Sequence, residues 1–374
     1  MKKTLVAVAA RAAVTGAMAQ ATIYGVIDQA YNVTKASGGA AGAGVQSSTK
    51  TSLGASQMGQ SLLGVKGSED MGNGMKASYL YEFGLATETT AAPTNRQSYV
   101  GLSGGFGAVR IGKQYSQAFN NSVAADPLGA TGAPGNPYLA LLVSDNGTES
   151  PLRQDKGIQY DLPSFVPGLG ITITKIFAGA NAAATNSGST TETNGIKTGD
   201  GQGFALTYSA GAFYAGLTSD TVTNTGVVGP ANDDSIAAVR GVSPAYGATS
   251  VTLIAASTGN KKKTGTTTLS YDLGVAKVSY NNVKASVGAD KATVTMYGVN
   301  IPMGAATLLF TSSTGKSDST ADYTIKGMQY GANYALSKRT TSYLHVGNHT
   351  VTPVATPTLA SKTQGYSLGL MHAF

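Results

Sequence analysis

The chain has 374 residues, of which 12% are charged and 41% hydrophobic, with 49 glycines, 19 tyrosines, no cysteine and no tryptophan. Soluble proteins carry about 25% charged residues, so this composition argues against an ordinary soluble fold. The formal charge of +7 falls to +4 once Lys2, Lys3 and Arg11 are set aside, too mild for a nucleic-acid-binding surface.

Lys2 and Lys3, the apolar stretch from Thr4 to Val14 and the small-residue site Ala17-Met18-Ala19 predict a signal peptide over residues 1–19, although Arg11 interrupts the apolar run. No later run is long and apolar enough for a spanning helix. Residues 20–374 instead read as short alternating segments joined by tight turns: 69–74, 103–107, Ala210-Gly211, 272–274, 302–304 and 336–339. Gly-, Ser- and Thr-rich stretches at 34–58, 179–201, 222–233 and 349–362 read as loops. Short turns alternating with long loops are the asymmetry of a bacterial barrel. Counting segments gives 18 strands, including a hairpin over 234–257, and leaves residues 115–152 as one long structureless loop placed inside the lumen. The last strand alternates Tyr366, Leu368, Leu370 and Phe374 with small, polar or Met positions, as a strand between lipid and water requires. The fold class is therefore all-β, a closed antiparallel transmembrane β-barrel.

Strand parity nominates the lumen charges. Outward Leu63 and Val65 turn Lys66 inward, and outward Ala77, Tyr79, Tyr81 and Phe83 turn Lys76, Ser78 and Glu82 inward. Val109 and Ile111 place Arg110 inside, and Ile158 and Tyr160 place Arg153 and Gln159 inside. Lys66, Lys76, Arg110 and Arg153 form the expected basic wall, with Asp126, Asp145 and Glu149 of the long loop as opposing acids. Such a pairing makes a transverse field that biases ion passage.

The chain also carries, in order, Thr22-Ile23-Tyr24-Gly25-Val26-Ile27-Asp28, residues 64–77, Asn95-Arg96-Gln97-Ser98-Tyr99-Val100-Gly101-Leu102-Ser103, Tyr160-Asp161-Leu162-Pro163-Ser164-Phe165, Leu273-Gly274-Val275-Ala276-Lys277, residues 334–340 and His372-Ala373-Phe374. By these segments it resembles the general diffusion porins of β-proteobacteria. The resemblance implies 16 strands, a homotrimer and a third loop folded inward. It also implies the cell outer membrane of a Gram-negative organism, contact with its lipid and lipopolysaccharide, and engagement of the barrel-assembly machinery through the C-terminal strand. It adds Arg96 to the basic wall, although parity in step with Val100 and Leu102 points Arg96 outward unless a bulge intervenes. The family's further arginine would fall at Leu62, which lessens the expected anion preference.

The expected function is a water-filled channel for small hydrophilic solutes and ions with a mild anion preference and no cofactor. A substrate-selective channel for an organic acid or similar metabolite is the alternative. An outer-membrane barrel enzyme would need a serine–histidine pair with an orienting group, for which the three histidines offer no evident arrangement. Adhesion by the outer loops is compatible with a wide barrel but does not require one. Lys261-Lys262-Lys263 reads as a solvated outer loop, with contact to lipopolysaccharide phosphate the less favoured alternative. Gly315-Lys316-Ser317 lacks the first glycine of a phosphate loop, where Phe310 stands. His345 and His349, four apart in a strand, are about 13 Å from each other and too distant for one metal.

Overall fold

The computed structural model describes residues 21–38, 47–55, 58–88, 90, 92–129, 152–177, 192–193, 196–197, 200–223, 261–318 and 322–374. The signal segment lies outside them. Alternation becomes strand throughout: β1 (Thr22–Gly38), β2 (Ser47–Ala55), β3 (Leu62–Gly72), β4 (Met75–Gly84), β5 (Thr94–Gly104) and β6 (Gly107–Tyr115). A short helix, α1 (Gln117–Val123), leads toward β7 (Arg153–Asp161) and β8 (Leu169–Ile176). The wall continues with β9 (Gly201–Ala210), β10 (Phe213–Thr223), β11 (Lys261–Asp272), β12 (Lys277–Val287) and β13 (Asp290–Met303). It ends with β14 (Ala306–Asp318), β15 (Tyr323–Ala335), β16 (Thr340–Pro353) and β17 (Ser361–Ala373). A separate small ladder pairs residues 192–193 with 196–197.

Every neighbouring pair in the wall is antiparallel, and the sheet closes on itself. β1 pairs β17 from Val26↔Ala373 to Gly38↔Ser361. Beyond that ladder, Gly25 and Phe374 exchange backbone hydrogen bonds, both of 3.0 Å. On its other side β1 meets β2 along Gln29–Ser37 and β3 along Thr22–Val26. β2 and β3 are thus two lengths of one stave, and the 17 strands of the main sheet make a wall of 16 staves.

The count of 18 is corrected by one ladder. β10 pairs β11 directly from Phe213↔Tyr271 to Thr223↔Lys261, so no hairpin stands between them in the wall. Residues 234–257 themselves lie outside the described residues. Two of the expected loops are also largely strand. Residues 34–38 and 47–55 belong to β1 and β2, and β16 and β17 reach Pro353 and Ser361 around a single 3-10 turn at Pro357–Leu359. Ser, Thr and Gly resemble loop composition, but at the ends of long strands they occupy ladder positions with both backbone groups paired.

Tight turns fall where Gly and Asn allow them. Asn73 and Gly74 take φ of 52° and 75° between β3 and β4, a conformation in which Gly is unstrained and Asn tolerated.

The two faces of the wall invert the usual arrangement of a soluble protein. Val100, Ile111, Ile173, Leu217, Tyr297, Tyr330 and Leu368 are exposed on the outside, while Thr268, Asn281, Thr311 and Gln329 are fully buried on the inside. Apolar-out and polar-in is the pattern of a strand that meets lipid on one face and a lumen on the other. Tyr366, Leu368, Leu370 and Phe374 lie on the outer face, as alternation predicts. The Phe374 ring lies over Gly25, where any Cβ would run into it.

Candidate functional site: an arginine cluster and an anchored helix

The chain leaves the wall at Tyr115 and turns into α1. Ser116 caps the helix, its Oγ accepting from Phe119 N at 3.1 Å. The residues that receive the helix stand across the lumen. Tyr214 donates to Asn121 Oδ1 and Asn121 Nδ2 donates to Thr266 Oγ1, each at 2.8 Å. Asn281 donates to the Ser122 carbonyl at 2.9 Å, and Lys277 to the Ala124 carbonyl at 3.2 Å. Ala118, Phe119 and Val123 join an apolar patch made by Val283, Val294, Met296 and Ile325 on the inner wall. At Gly216 a Cβ would overlap the Asn121 carboxamide, so the wall is bare where the helix seats. The expectation of an inward third loop holds, but its first turns are helical rather than structureless.

On the wall that the loop leaves, the basic residues gather around two tyrosines. Arg96 Nε meets Glu82 Oε1 at 2.7 Å, and both side chains are more than nine-tenths buried. Glu82 Oε2 accepts from the Tyr24 hydroxyl at 2.9 Å, and Lys66 Nζ stands 4.9 Å from the centre of the Tyr24 ring. Arg96 Nη2 donates to the Tyr115 hydroxyl. The Tyr115 ring lies 5.8 Å from the Arg96 guanidinium and 5.2 Å from that of Arg153, close enough for cation–π attraction to both. Arg153 Nη2 reaches Gln60 Oε1 at 3.4 Å. Arg96 Nη1 and Arg153 Nε are buried donors with no partner among the described residues.

Two bulges explain which residues arrive there. Glu82 pairs Gln97 but Phe83 pairs Asn95, so Arg96 is the extra residue of β5 and turns inward against simple parity. Between β6 and β7 the register shifts from Gly112↔Gly157 to Gln114↔Gln154, with Lys156 at φ 51°. Alternation counted from Ile158 therefore does not extend to Arg153, which joins the cluster through its pairing with Tyr115.

The rest of the predicted wall lies elsewhere. Arg110 faces inward as expected, but it pairs with Asp161 at 2.7 Å and lies three residues from the β5–β6 turn, away from Tyr115. Lys76 stands two residues after the Asn73-Gly74 turn, in register with Asp70, at the rim rather than the narrowing. Asp126, just after the helix, is buried, and its Oδ1 accepts from Leu128 N at 2.9 Å in a local turn. Asp145 and Glu149 lie outside the described residues. Among the described residues, the acid beside the arginines is Glu82, on their own wall, which alternation placed inside without revealing its pairing.

Other expectations are corrected by the ladders. Lys261, Lys262 and Lys263 open β11, opposite Thr223, Val222 and Thr221, rather than lying in a loop. Lys316 is a β14 position opposite Thr293. His345 bonds Asn333 Oδ1 at 2.8 Å inside the barrel.

A last feature ties the first strand to the last but one. Asp28, fully buried, accepts from Tyr343 Oη at 2.6 Å with Oδ1. Its Oδ2 accepts from Met58 N at 2.7 Å and Gly59 N at 2.9 Å, where β2 gives way to β3. The Asp28 backbone exchanges hydrogen bonds with Ser61 Oγ at 3.1 and 3.2 Å.

Comparison with known proteins agrees with this architecture. Outer membrane porin protein 32 of Delftia acidovorans is 33% identical over 173 residues, covering 44% of this chain and 47% of that one. Major outer membrane protein P.IB of Neisseria meningitidis serogroup B is 40% identical over 116 residues, 30% of this chain and 34% of the other. The chain thus spans about half, or less, of the length of the curated relatives it matches. Among solved structures, an anion-selective porin from Comamonas acidovorans superposes with a TM-score of 0.72 at 20% identity, covering 95% of this chain and all of that one. A Salmonella typhi OmpF gives 0.59 at 12% identity over 95% and 98% of the two chains. The pattern that defines Gram-negative porins is matched continuously from residue 5 to residue 352, and the protein belongs to that family.

Proposed function

We propose that the protein forms a water-filled outer-membrane channel through which small hydrophilic solutes diffuse passively, with a mild preference for anions. The observation that carries this reading is the charge balance of the Tyr24–Tyr115 cluster. Among the described residues, Arg96 pairs with Glu82 while Lys66 and Arg153 stand over the Tyr24 and Tyr115 rings, three cations to one carboxylate. The excess positive charge lies on the wall that the inward loop leaves, so passing ions cross its field. The Arg153 guanidinium, only partly buried beside the Tyr115 ring, suits transient contact with a carboxylate or chloride. The second reading, a channel tuned to organic acids, rests on the same ring, because two guanidiniums held by it favour a planar anion. The solved Comamonas relative described as anion-selective is in keeping with either reading.

We also assign residues 1–19 to a cleaved export signal and expect a homotrimer assembled with outer-membrane lipid and lipopolysaccharide. The last strand is the segment that the barrel-assembly machinery would grip. The test of the channel is a planar bilayer with a tenfold KCl gradient. Stepwise conductance with an anion-biased reversal potential is expected. The double variant Arg96→Ser/Arg153→Ser should move that potential toward cations. A silent bilayer from folded protein refutes the channel, and an unmoved potential refutes the role of the two arginines. Adding dicarboxylates separates the two readings: a selective channel shows saturable block, a general one does not.

A further inference from the structure

The inner side of β7 carries a neutral side chain that joins the wall, the inward helix and the residue holding both arginines. Gln159 is 2% exposed. Its backbone stands in the ladders, opposite Arg110 on β6 and Thr174 on β8, so only the side chain reaches into the barrel. Its Nε2 donates to the Tyr115 carbonyl at 2.8 Å and to Gln154 Oε1 at 3.3 Å. Its Oε1 accepts from Gln117 Nε2 at 3.2 Å and from Arg110 Nη2 at 3.3 Å. A carboxamide has two N–H donors and two acceptor lone pairs, and all four are engaged. Its orientation is fixed as well, because a carbonyl can only accept and a guanidinium can only donate.

These contacts meet where the wall is irregular. Between Gly112↔Gly157 and Gln114↔Gln154 the β6–β7 ladder leaves out Lys113, Asp155 and Lys156. Gln114 bridges part of the gap, its Nε2 reaching the Arg110 and Gly157 carbonyls at 3.3 and 3.5 Å. Gln159 holds the next carbonyl along, that of Tyr115, where the chain turns from β6 into α1.

Tyr115 carries the charge cluster. Its hydroxyl accepts from Arg96, its ring lies beside both guanidiniums, and it stacks on Phe119 of α1 with ring centres 4.7 Å apart. The helix is tied to the far wall through Asn121 and Ser122, which leaves Tyr115 as the joint between two fixed bodies. A change in its backbone angles would swing the ring away from Arg96 and Arg153 with the helix still seated. Gln97 Oε1, which accepts from Tyr115 N at 3.4 Å, is the weaker hold on the same joint.

We propose that Gln159 is a positioning residue for ion selectivity, fixing the Tyr115 backbone and with it the ring that holds Arg96 and Arg153 beside the ion path. The inference rests on the anion-preference reading of that cluster. It gives a buried, uncharged side chain a part in selectivity, and it links the Arg110–Asp161 pair near the short turns to the cluster.

The test is the reversal potential of the full protein in a planar bilayer across a tenfold KCl gradient. Gln159→Met keeps the length of the side chain and removes all four hydrogen bonds. Its anion-to-cation permeability ratio should fall roughly twofold, the effect in water of losing one unit charge some 10 Å from the ion path. Gln329→Met makes the same exchange at a fully buried glutamine of β15, bonded to Thr311, and should leave the ratio unchanged. Action through Tyr115 makes the effects non-additive: in a Tyr115→Ala chain, Gln159→Met should move the potential no further. An unmoved potential in Gln159→Met, an equal shift in Gln329→Met, or additive shifts in the double variant overturns the proposal. Gln159→Asn, neutral and one methylene shorter, repeats these comparisons if the Met chain folds poorly. Arg96→Ser/Arg153→Ser, recorded alongside, separates the two readings. A shift there with none in Gln159→Met refutes the positioning role alone, whereas no shift there refutes the cluster's role in selectivity and this inference with it.

Discussion

Replacing Asn121 with Ala removes the side-chain anchor of the inward helix and leaves the bonds from Asn281 and Lys277 to its last carbonyls in place. The side chain is 2% exposed and makes two hydrogen bonds of 2.8 Å, from Tyr214 Oη and to Thr266 Oγ1. Thr266 keeps a second partner, Thr218 Oγ1 at 2.6 Å, so Tyr214 is the group left stranded. One lost bond at about 1 kcal/mol plus one buried hydroxyl left unsatisfied at 1–2 kcal/mol gives roughly 2–3 kcal/mol against the docked helix. At 1.4 kcal/mol per factor of ten, amide exchange across residues 117–123 should accelerate by about 30- to 100-fold. Exchange in β13 to β16 should stay unchanged. Gly216→Ala should do the same from the other side, because its Cβ takes the space of the Asn121 carboxamide. In single-channel records both variants should show noisier open levels. Native exchange rates in both would refute the reasoning and leave the helix held by Asn281, Lys277 and the apolar contacts of Ala118, Phe119 and Val123.

Three other expectations follow from the same geometry. Asp28→Ala strands Tyr343 Oη and the Met58 and Gly59 amides; it should cost roughly 3–5 kcal/mol in urea titration of the detergent-solubilised barrel. Asp28→Asn should cost less, and equal midpoints for all three proteins would sink the role of Asp28 as a clamp. Glu82→Gln removes the carboxylate paired with Arg96, so the anion-to-cation permeability ratio should rise roughly twofold for a charge some 10 Å from the ion path in water. A ratio that falls, or stays constant, contradicts that placement. Gly25→Val sets a side chain into the Phe374 ring; folded yield should drop on unheated gels, and Phe374→Ala in the same chain should restore part of it.

Most of the wall was legible because period-two alternation is imposed by the two solvents on its faces, and each inward or outward position carries that imprint. Arg110 was placed correctly by alternation alone. Arg96 was not, because a bulge at Glu82/Phe83 depends on a register between strands that no local pattern records. Arg153 reached the cluster by a different route from the one alternation implied, through the irregularity beside Lys156. The helix had a local signal, Ser116 ahead of Gln-Ala-Phe, but a seven-residue element is too short for periodicity to reveal. Asp126 carried the right charge, but Asp followed by Pro and Leu also makes a turn, and the turn took the carboxylate. The Asp28 clamp joins groups 30, 31 and 315 residues away, and no reading along the chain could bring them together. The strand count went astray at the segment of lowest alternation contrast, where Ser, Ala, Val and Gly suit either a hairpin or a loop.

The ladder between β1 and β17 joins Val26 to Ala373, and this has a consequence for biogenesis. Until that pair forms, every intermediate of the wall has two open edges, each a row of unpaired amides able to recruit another chain. Local hairpins can zip early, but the seam requires almost the whole polypeptide to be present and threaded in order, which makes it the contact of greatest sequence separation and the slowest to gain. Export therefore delivers a chain that is vulnerable until its final strand arrives. A mutation that leaves every hairpin intact but weakens the seam would show its effect as aggregation in transit rather than as a fault in the finished pore.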